Sequence, residues 1–213
     1  LGVELARARL ELGLQRIDLL PGAPELAAEL VALGVSLREL ASQGAHALLQ
    51  PGDARVLGEL SRVFAAGALR APDSDSALRF AKLAEETITV ERSLHENYGK
   101  RWRMTTKEMA SVPMAPTNYA YTRHMLTIAH TGSAAEITVV ALPCAWIYCV
   151  VGQHLLKQGP PRNNHPYRDW LMLYASPEFA EVQRWMRKKV DQWAKSASKE
   201  EKRRMEDAFV ISS

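Results

Sequence analysis

Apolar residues recur at helical spacing (i, i+3 and i+4) along most of the chain, and no stretch of convincing length alternates apolar and polar residues. Because a strand needs a two-residue period to bury one face, this pattern favours packing of helices. It predicts an all-α fold in which several helices surround one hydrophobic core. The predicted helices cover residues 24–33, 36–49, 55–69, 74–100, 116–131 and 133–158, a short segment after residue 166, and residues 177–195 and 198–213.

Capping signals support several of these boundaries. Asp73 and Ser74 are good N-caps for the helix that runs to about residue 100. Ser176 precedes Pro177, which places a cap before a proline at the first helical position. The apolar face of the 74–100 helix is predicted to contain Phe80, Ala84 and Ile88, followed by Glu91, His95 and Tyr98.

The composition is that of an ordinary globular protein and excludes several classes. Of 213 residues, 47% are apolar and 24% charged, which argues against disorder and against a disulfide-stapled miniprotein. No uninterrupted apolar stretch is long enough to predict a membrane span. Two cysteines, with no secretion signal or lipidation motif, predict a cytoplasmic protein. The net charge of +3 is too small to indicate a nucleic-acid partner.

The aromatic residues divide the chain into two regions. Residues 1–63 contain none, and all four Phe, six Tyr and five Trp lie from Phe64 onward. We therefore predict a Leu- and Ala-rich helical segment over residues 1–46 and a helical domain over residues 47–213. Three origins of the first segment remain open: a helical region from a GC-biased coding sequence, the tail of a fused domain, or a misread reading frame.

Cys144 follows Pro143 inside the apolar run 139–151. Proline lacks the N–H that continues a helix, so the helix either kinks or restarts there. A restart would place the thiol beside unsatisfied N–H groups at a positive helix end, which lowers a thiol pKa. The alternative is a buried cysteine that packs as a small apolar residue. Cys149 lies about 140° further around the helix, which predicts a core residue without a disulfide or a shared metal site with Cys144.

A pair of polar residues interrupts the apolar face of the 74–100 helix. Glu91 and His95 are one turn apart, where a charged group needs a partner or a cavity. They could form half of a bundle metal site with His124 and Glu136, line a polar pocket, or make a structural pair. The sequence has no Glu-x-x-His motif to complete a di-metal set, so we predict no metal.

Four tyrosines are candidates for binding a planar ligand. Tyr119, Tyr121, Tyr148 and Tyr174 fall on three predicted helices, and Tyr148 is one turn after Cys144. A phenol offers both a stacking face and a hydrogen-bonding hydroxyl, which suits a flat heteroaromatic ring. Each could equally be a core residue. The basic stretch 184–204, in contrast, is interrupted by acidic residues and is predicted to be the solvated face of two helices.

Four segments together are typical of one family. Residues 142–152 read LPCAWIYCVVG, residues 116–125 read PTNYAYTRHM, residues 170–174 read WLMLY ahead of Phe179, and residues 209–213 read FVISS. In order and spacing they resemble the thiaminase II (TenA) family, which has an LPC-x-W-x-Y-x-x-x-G segment. The resemblance runs from about residue 60 to residue 213, and several motifs in register are far more specific than a lone LPC.

The resemblance implies a heme-oxygenase-like multi-helix bundle without heme, metal or other cofactor, usually a homotetramer. It implies an aminopyrimidine aminohydrolase that hydrolyses a C–N bond in thiamin pyrimidine salvage, and many members also cleave thiamin. Carried onto this chain, Cys144 matches the nucleophile, and Tyr121, Tyr148 and Tyr174 match pocket tyrosines. Asp53 is the best match to the aspartate that holds the pyrimidine amino group.

The chain departs from the family pattern at two places. Gln50 and Asp53 are separated by Pro51-Gly52, whereas the family has an adjacent Gln-Asp pair. The family's catalytic glutamate falls just beyond Ser213, so the domain is expected to be truncated within its C-terminal helix. These departures leave a non-catalytic pyrimidine-binding protein open as an alternative. Glu91, His95 and His124 leave open a second one, a metal-dependent oxidase on the same fold.

Overall fold

The computed structural model of the protein describes residues 54–157 and 159–213. These residues form two compact units, one of residues 54–141 with Ser212 and one of residues 142–211 with Ser213. Helix predominates in both units, and no strand is present in the described residues. The helices predicted over residues 24–33 and 36–49, like the whole segment 1–46, lie outside the described part of the chain.

Nine α-helices and one π-helical turn account for most of residues 54–213 as described. They are α1 (Ala54–Arg70), α2 (Ser74–Glu86), the π-turn (Thr87–Glu91), α3 (Arg92–Arg101), α4 (Thr106–Ser111), α5 (Pro116–Thr131), α6 (Ala134–Lys157), α7 (Arg168–Tyr174), α8 (Pro177–Ser196) and α9 (Lys199–Ser212). The all-α prediction is confirmed, and every predicted helix that begins after residue 54 is present within a few residues of its expected bounds.

The core of the first unit lies where α1 packs against α2 and α5. Val63, Phe80 and Met125 have no exposed surface, one from each of these helices. A Cβ at Gly67 would lie 2.7 Å from carbons of the Phe80 ring, so the glycine lets α2 approach α1 closely. Burying aromatic and aliphatic side chains of this size stabilises a fold by about 1.5–3 kcal/mol each.

Local sequence signals start the helices of the first unit as expected. The side chain of Asp73 accepts a hydrogen bond from the Ser76 N–H at 2.7 Å, which caps α2. Pro116 occupies the first turn of α5. Helix α4 was not predicted from the sequence, although Thr105 and Glu108 form a complete capping box at its start.

The buried face at residues 87 and 88 differs from the predicted one. Thr87 is 3% exposed and donates its hydroxyl to the Leu83 carbonyl at 2.8 Å, whereas Ile88 is 43% exposed. The assignment of Ile88 to the apolar face is therefore wrong. Thr87 is seven residues after Phe80, which is two helical turns, so Thr87 rather than Ile88 shares the buried side with Phe80.

The second unit contains the later part of α6 together with α7, α8 and α9. Helix α8 buries Met186 and Val190, and α9 buries Met205 and Ala208. Ser176 caps α8 by accepting a hydrogen bond from the Phe179 N–H at 3.1 Å, as its position before Pro177 predicts.

Helix α6 is the most apolar element of the described chain. By length and composition it could cross a membrane, but 78% of its most apolar window is buried inside the protein. Ser133 and Glu136 fix its start. The Glu136 carboxylate accepts from the Ser133 N–H at 2.7 Å, and the Glu136 N–H donates to the Ser133 hydroxyl at 3.3 Å. This reciprocal arrangement is a capping box.

Candidate active site

Helix α6 passes through Pro143 without ending. The helix is continuous from Ala134 to Lys157, so the restart considered from the sequence does not occur, and Cys144 is not at a helix N-terminus. Because proline has no N–H, the Val139 carbonyl receives no helical hydrogen bond from position 143. The hypothesis that a helix N-terminus lowers the pKa of the Cys144 thiol is therefore wrong.

The two cysteines differ in their access to solvent. Cys144 is half-buried, whereas Cys149 is only 2% exposed, and neither is part of a disulfide. Burial raises the pKa of the Cys149 thiol, and the positive charge of Arg184 opposes that effect. The prediction that Cys149 belongs to the core is confirmed. Since the thiolate is the reactive form of cysteine, Cys144 is the better nucleophile of the two by exposure.

An aromatic cluster lies beside the helical face that bears Cys144. Tyr148 is one turn after Cys144, and its ring centroid lies 5.0 Å from that of Tyr174 and 5.5 Å from that of Trp170. Tyr174 also contacts Trp170 at 5.0 Å and Phe179 edge-to-face at 4.8 Å. These separations are those of favourable aromatic pairs.

The members of the aromatic cluster differ in solvent exposure. The buried members support the cluster, and the half-buried members can also contact a ligand. Trp170 and Tyr174 are 2% and 3% exposed, whereas Tyr148 and Phe179 are half-buried. Tyr148 therefore offers part of its surface to a ligand, while Trp170 is an internal support. Sequence reasoning had placed Trp170 and Phe179 only within family motifs and gave neither a role in the site.

Trp146 is held by a residue of α8. The Arg187 guanidinium lies 4.4 Å from the centroid of the Trp146 ring, a cation–π contact. Trp146 is two residues after Cys144 and therefore faces another side of α6. This contact anchors the Cys144 segment from the side away from the tyrosines.

Two of the predicted site residues are not part of this cluster as described. Tyr121 is a half-buried residue of α5, in the first unit. Tyr119, two residues earlier, is 57% exposed, and Arg123 lies 5.3 Å from the centroid of its ring. Asp53 lies outside the described residues. The roles of Tyr121 and Asp53 in ligand binding stay predictions.

The residues considered as metal ligands have other surroundings. Within residues 54–157 and 159–213, no group of three or more His, Cys, Asp or Glu side chains is arranged to hold an ion. Glu136 is the capping residue of α6. His95 is 3% exposed, and burial lowers its pKa to about 4, so its ring is neutral near pH 7.

The basic stretch of α8 lines an open surface cavity of about 550 Å³. Its described lining is Arg184, Arg187, Lys188, Asp191, Gln192 and Lys195. None of these residues is a candidate for the chemistry, which agrees with the interpretation of this stretch as a solvated helical face.

Solved structures with the same architecture define the fold class. A TenA homologue from P. horikoshii OT3 superposes with a TM-score of 0.66 at 21% identity, covering 99% of this chain and 92% of that one. A TenA homologue from Pyrococcus furiosus gives 0.71 at 18% identity, covering 100% and 95%. The fold is therefore the heme-oxygenase-like all-α bundle of these proteins.

Sequence comparison gives the family. The model of the TENA/THI-4/PQQC family matches residues 55–213. A protein of Halalkalibacterium halodurans named aminopyrimidine aminohydrolase is 37% identical over 156 residues, covering 73% of this chain and 69% of the relative. One of the same name from Bacillus subtilis is 32% identical over 162 residues, covering 76% and 67%. The chain belongs to the TENA/THI-4/PQQC family.

Proposed function

We propose that this chain is an aminopyrimidine aminohydrolase of the thiaminase II type, which hydrolyses a C–N bond in the salvage of the thiamin pyrimidine. Bacterial relatives that are 30–37% identical are named for this activity. The proposed substrate is 4-amino-5-aminomethyl-2-methylpyrimidine, which water converts into the hydroxymethyl pyrimidine and ammonia.

One structural observation carries the proposal. The half-buried thiol of Cys144 precedes, by one helical turn, the partly accessible ring of Tyr148, which is packed on Tyr174. A nucleophile and an aromatic surface therefore share one face of α6, where a flat ring that stacks beside Tyr148 comes within reach of the sulfur.

The reaction follows from nucleophilic catalysis by the thiolate. The Cys144 thiolate adds to an electron-poor carbon of the pyrimidine, which forms an S–C bond and breaks the aromaticity of the ring. The electron pair of the ring then expels the amine from the exocyclic methylene, and the amine leaves as ammonia after taking up a proton. Water adds to the methylene and loses a proton. The S–C bond breaks, which restores the aromatic ring and the thiolate.

The other site residues have binding roles in this proposal. Tyr148 and Tyr121 hydrogen-bond around the sulfur and the ring, and Tyr174 is a further tyrosine that binds the pyrimidine. Asp53 accepts a hydrogen bond from the ring amino group. The reaction uses the protein's own groups and water, and needs no cofactor.

The proposal extends to the organisation of the protein. Residues 47–213 form the catalytic domain, and the sequence of residues 1–46 is atypical of the family. The protein acts in the cytoplasm as a homotetramer, and its partner in the reaction is a small pyrimidine rather than a nucleic acid or a membrane.

Ammonia release tests the activity directly. Wild-type protein, Cys144→Ala and the matched control Cys149→Ala are incubated with the aminomethyl pyrimidine. Parallel samples receive thiamin, whose cleavage is followed by release of the thiazole because it produces no ammonia. We expect ammonia from wild type and from Cys149→Ala, and a loss of several orders of magnitude in Cys144→Ala. Equal turnover by wild type and Cys144→Ala would refute the mechanism.

A non-catalytic pyrimidine-binding protein is the second candidate. Calorimetry distinguishes the two, since the second candidate predicts saturable binding of the aminomethyl pyrimidine with no ammonia. Turnover by wild type would exclude it.

A further inference from the structure

Helix α6 makes a backbone-to-backbone contact at Gly152, two turns after Cys144. A Cβ at this position would lie 2.9 Å from the Tyr174 carbonyl carbon, 2.9 Å from the Ala175 nitrogen and 3.2 Å from the Tyr174 oxygen. Ordinary contacts of a Cβ begin at 3.4 Å, so a methyl group here would require a displacement of about half an ångström. Only glycine fits this contact without a shift.

The contacted segment cannot move locally. The Ala175 N–H donates to the Leu171 carbonyl at 3.0 Å, and the Ser176 N–H donates to the Leu173 carbonyl at 3.2 Å. The Ser176 hydroxyl at the same time accepts from the Phe179 N–H and caps α8. Because hydrogen bonds tie the segment to both α7 and α8, a displacement at Gly152 must move the end of α7 together with Tyr174.

The position of Tyr174 is fixed from two sides. Because Gly152 has no side chain, the backbone of Tyr174 packs directly against α6. The Phe179 ring packs edge-to-face on the Tyr174 ring, with a centroid distance of 4.8 Å and an interplanar angle of 88°. Cys144, Tyr148 and Gly152 are spaced four residues apart, so they follow one side of α6. The position of Tyr174 along the axis of α6 determines the distance between its ring and the Cys144 sulfur.

We infer that Gly152 and Phe179 are positioning residues, which together hold Tyr174 against Tyr148 and thereby set the aromatic wall beside the Cys144 thiol. The inference rests on the proposed function for its catalytic consequence. Neither residue needs to touch the substrate, and both act through the ring of Tyr174. A misplacement of about 1 Å in a catalytic arrangement can cost roughly a hundred-fold in rate.

The primary test compares two Gly→Ala substitutions. In Gly152→Ala the new methyl meets the backbone of α7, whereas in Gly58→Ala, on α1, it meets nothing within 4 Å. We expect folded Gly152→Ala to lose about ten- to hundred-fold in kcat/KM, and Gly58→Ala to stay within about twofold of wild type. Wild-type kcat/KM in folded Gly152→Ala would overturn the inference.

A double-mutant cycle separates positioning from a general structural effect. The clash at residue 152 involves backbone atoms, so it persists when the Tyr174 side chain is removed. In a Tyr174→Ala background, Gly152→Ala should therefore lower kcat/KM by less than about threefold, because the ring it displaces is gone. The same fold-loss in both backgrounds would show that Gly152 does not act through Tyr174.

Two further measurements keep the inference testable in every case. A crystal structure of Gly152→Ala should show a distance between the Tyr148 and Tyr174 ring centroids that differs from 5.0 Å. This measurement does not depend on enzymatic activity. If the wild-type protein is inactive, only the proposed function is refuted. If Gly152→Ala does not fold, Phe179→Leu releases the Tyr174 ring from the other side. We expect a loss of several-fold in kcat/KM, and an unchanged value would overturn the inference.

Discussion

The buried ring of His95 makes the stability of the protein depend on pH. Its pKa is lowered from 6.5 to about 4 by burial, because the protein interior disfavours the charged imidazolium. Between these two values the unfolded chain binds a proton at His95 that the folded chain does not. The contribution of neutral His95 is therefore fully present above pH 6.5 and is lost as the pH falls toward 4.

The size of this effect follows from linkage. The two pKa values correspond to about 3 kcal/mol in the free energy of unfolding over the whole window, and to about 2 kcal/mol already lost at pH 5. The assay is urea unfolding of wild type and His95→Leu at pH 7, 6, 5 and 4. The stability of wild type relative to His95→Leu should fall by about 3 kcal/mol from pH 7 to pH 4.

A matched control is available in an exposed histidine. His130 lies in the last turn of α5 and is exposed. In His130→Gln the acid-dependent loss should remain, because His95 stays buried. Parallel pH profiles for wild type and His95→Leu would refute the reasoning about burial.

Two further predictions concern the first unit. Phe80→Ala should lower the free energy of unfolding by about 3–5 kcal/mol because the ring has no exposed surface, whereas Leu78→Ala on the same helix, 71% exposed, should change it by less than about 0.5 kcal/mol. Thr105→Ala removes the cap of α4 and should cost about 1 kcal/mol, again measured by urea unfolding; no change would show that the capping box contributes nothing.

Boundaries set by short-range chemistry were predictable from the sequence. Asp73 before α2 and Ser176-Pro177 before α8 are capping signals that depend on a few neighbouring residues, and the structure has both caps in place. The same chemistry at Thr105 and Glu108 would have predicted α4, because a threonine followed three residues later by glutamate is the sequence signature of a capping box.

The course of the backbone inside two helices was not predictable. The sequence has no signal for the π-turn comparable to a proline or a cap. At Pro143 the sequence left a kink and a restart open. Packing in the apolar core maintains one helix through the proline, because 78% of the most apolar window of α6 is buried.

The neighbouring positions of Cys144 and Tyr148 were predictable from the sequence, whereas the residues that support Tyr148 were not. Helical spacing alone places Tyr148 one turn after Cys144. The contacts of Tyr174 with Tyr148 and Phe179 join residues of three helices, and such long-range contacts leave no periodic signal. Gly152 appears in the sequence only as the end of a motif, and its role follows from the approach of the α7 backbone.

Alkylation of the thiols with and without substrate tests the central claim most directly. Iodoacetamide is added to wild-type protein, and peptide mass spectrometry follows Cys144 and Cys149 while ammonia release is measured on the same samples. We predict that Cys144 is modified first, that activity falls in proportion to its modification, and that the aminomethyl pyrimidine slows both. Full activity after complete modification of Cys144 would contradict the account.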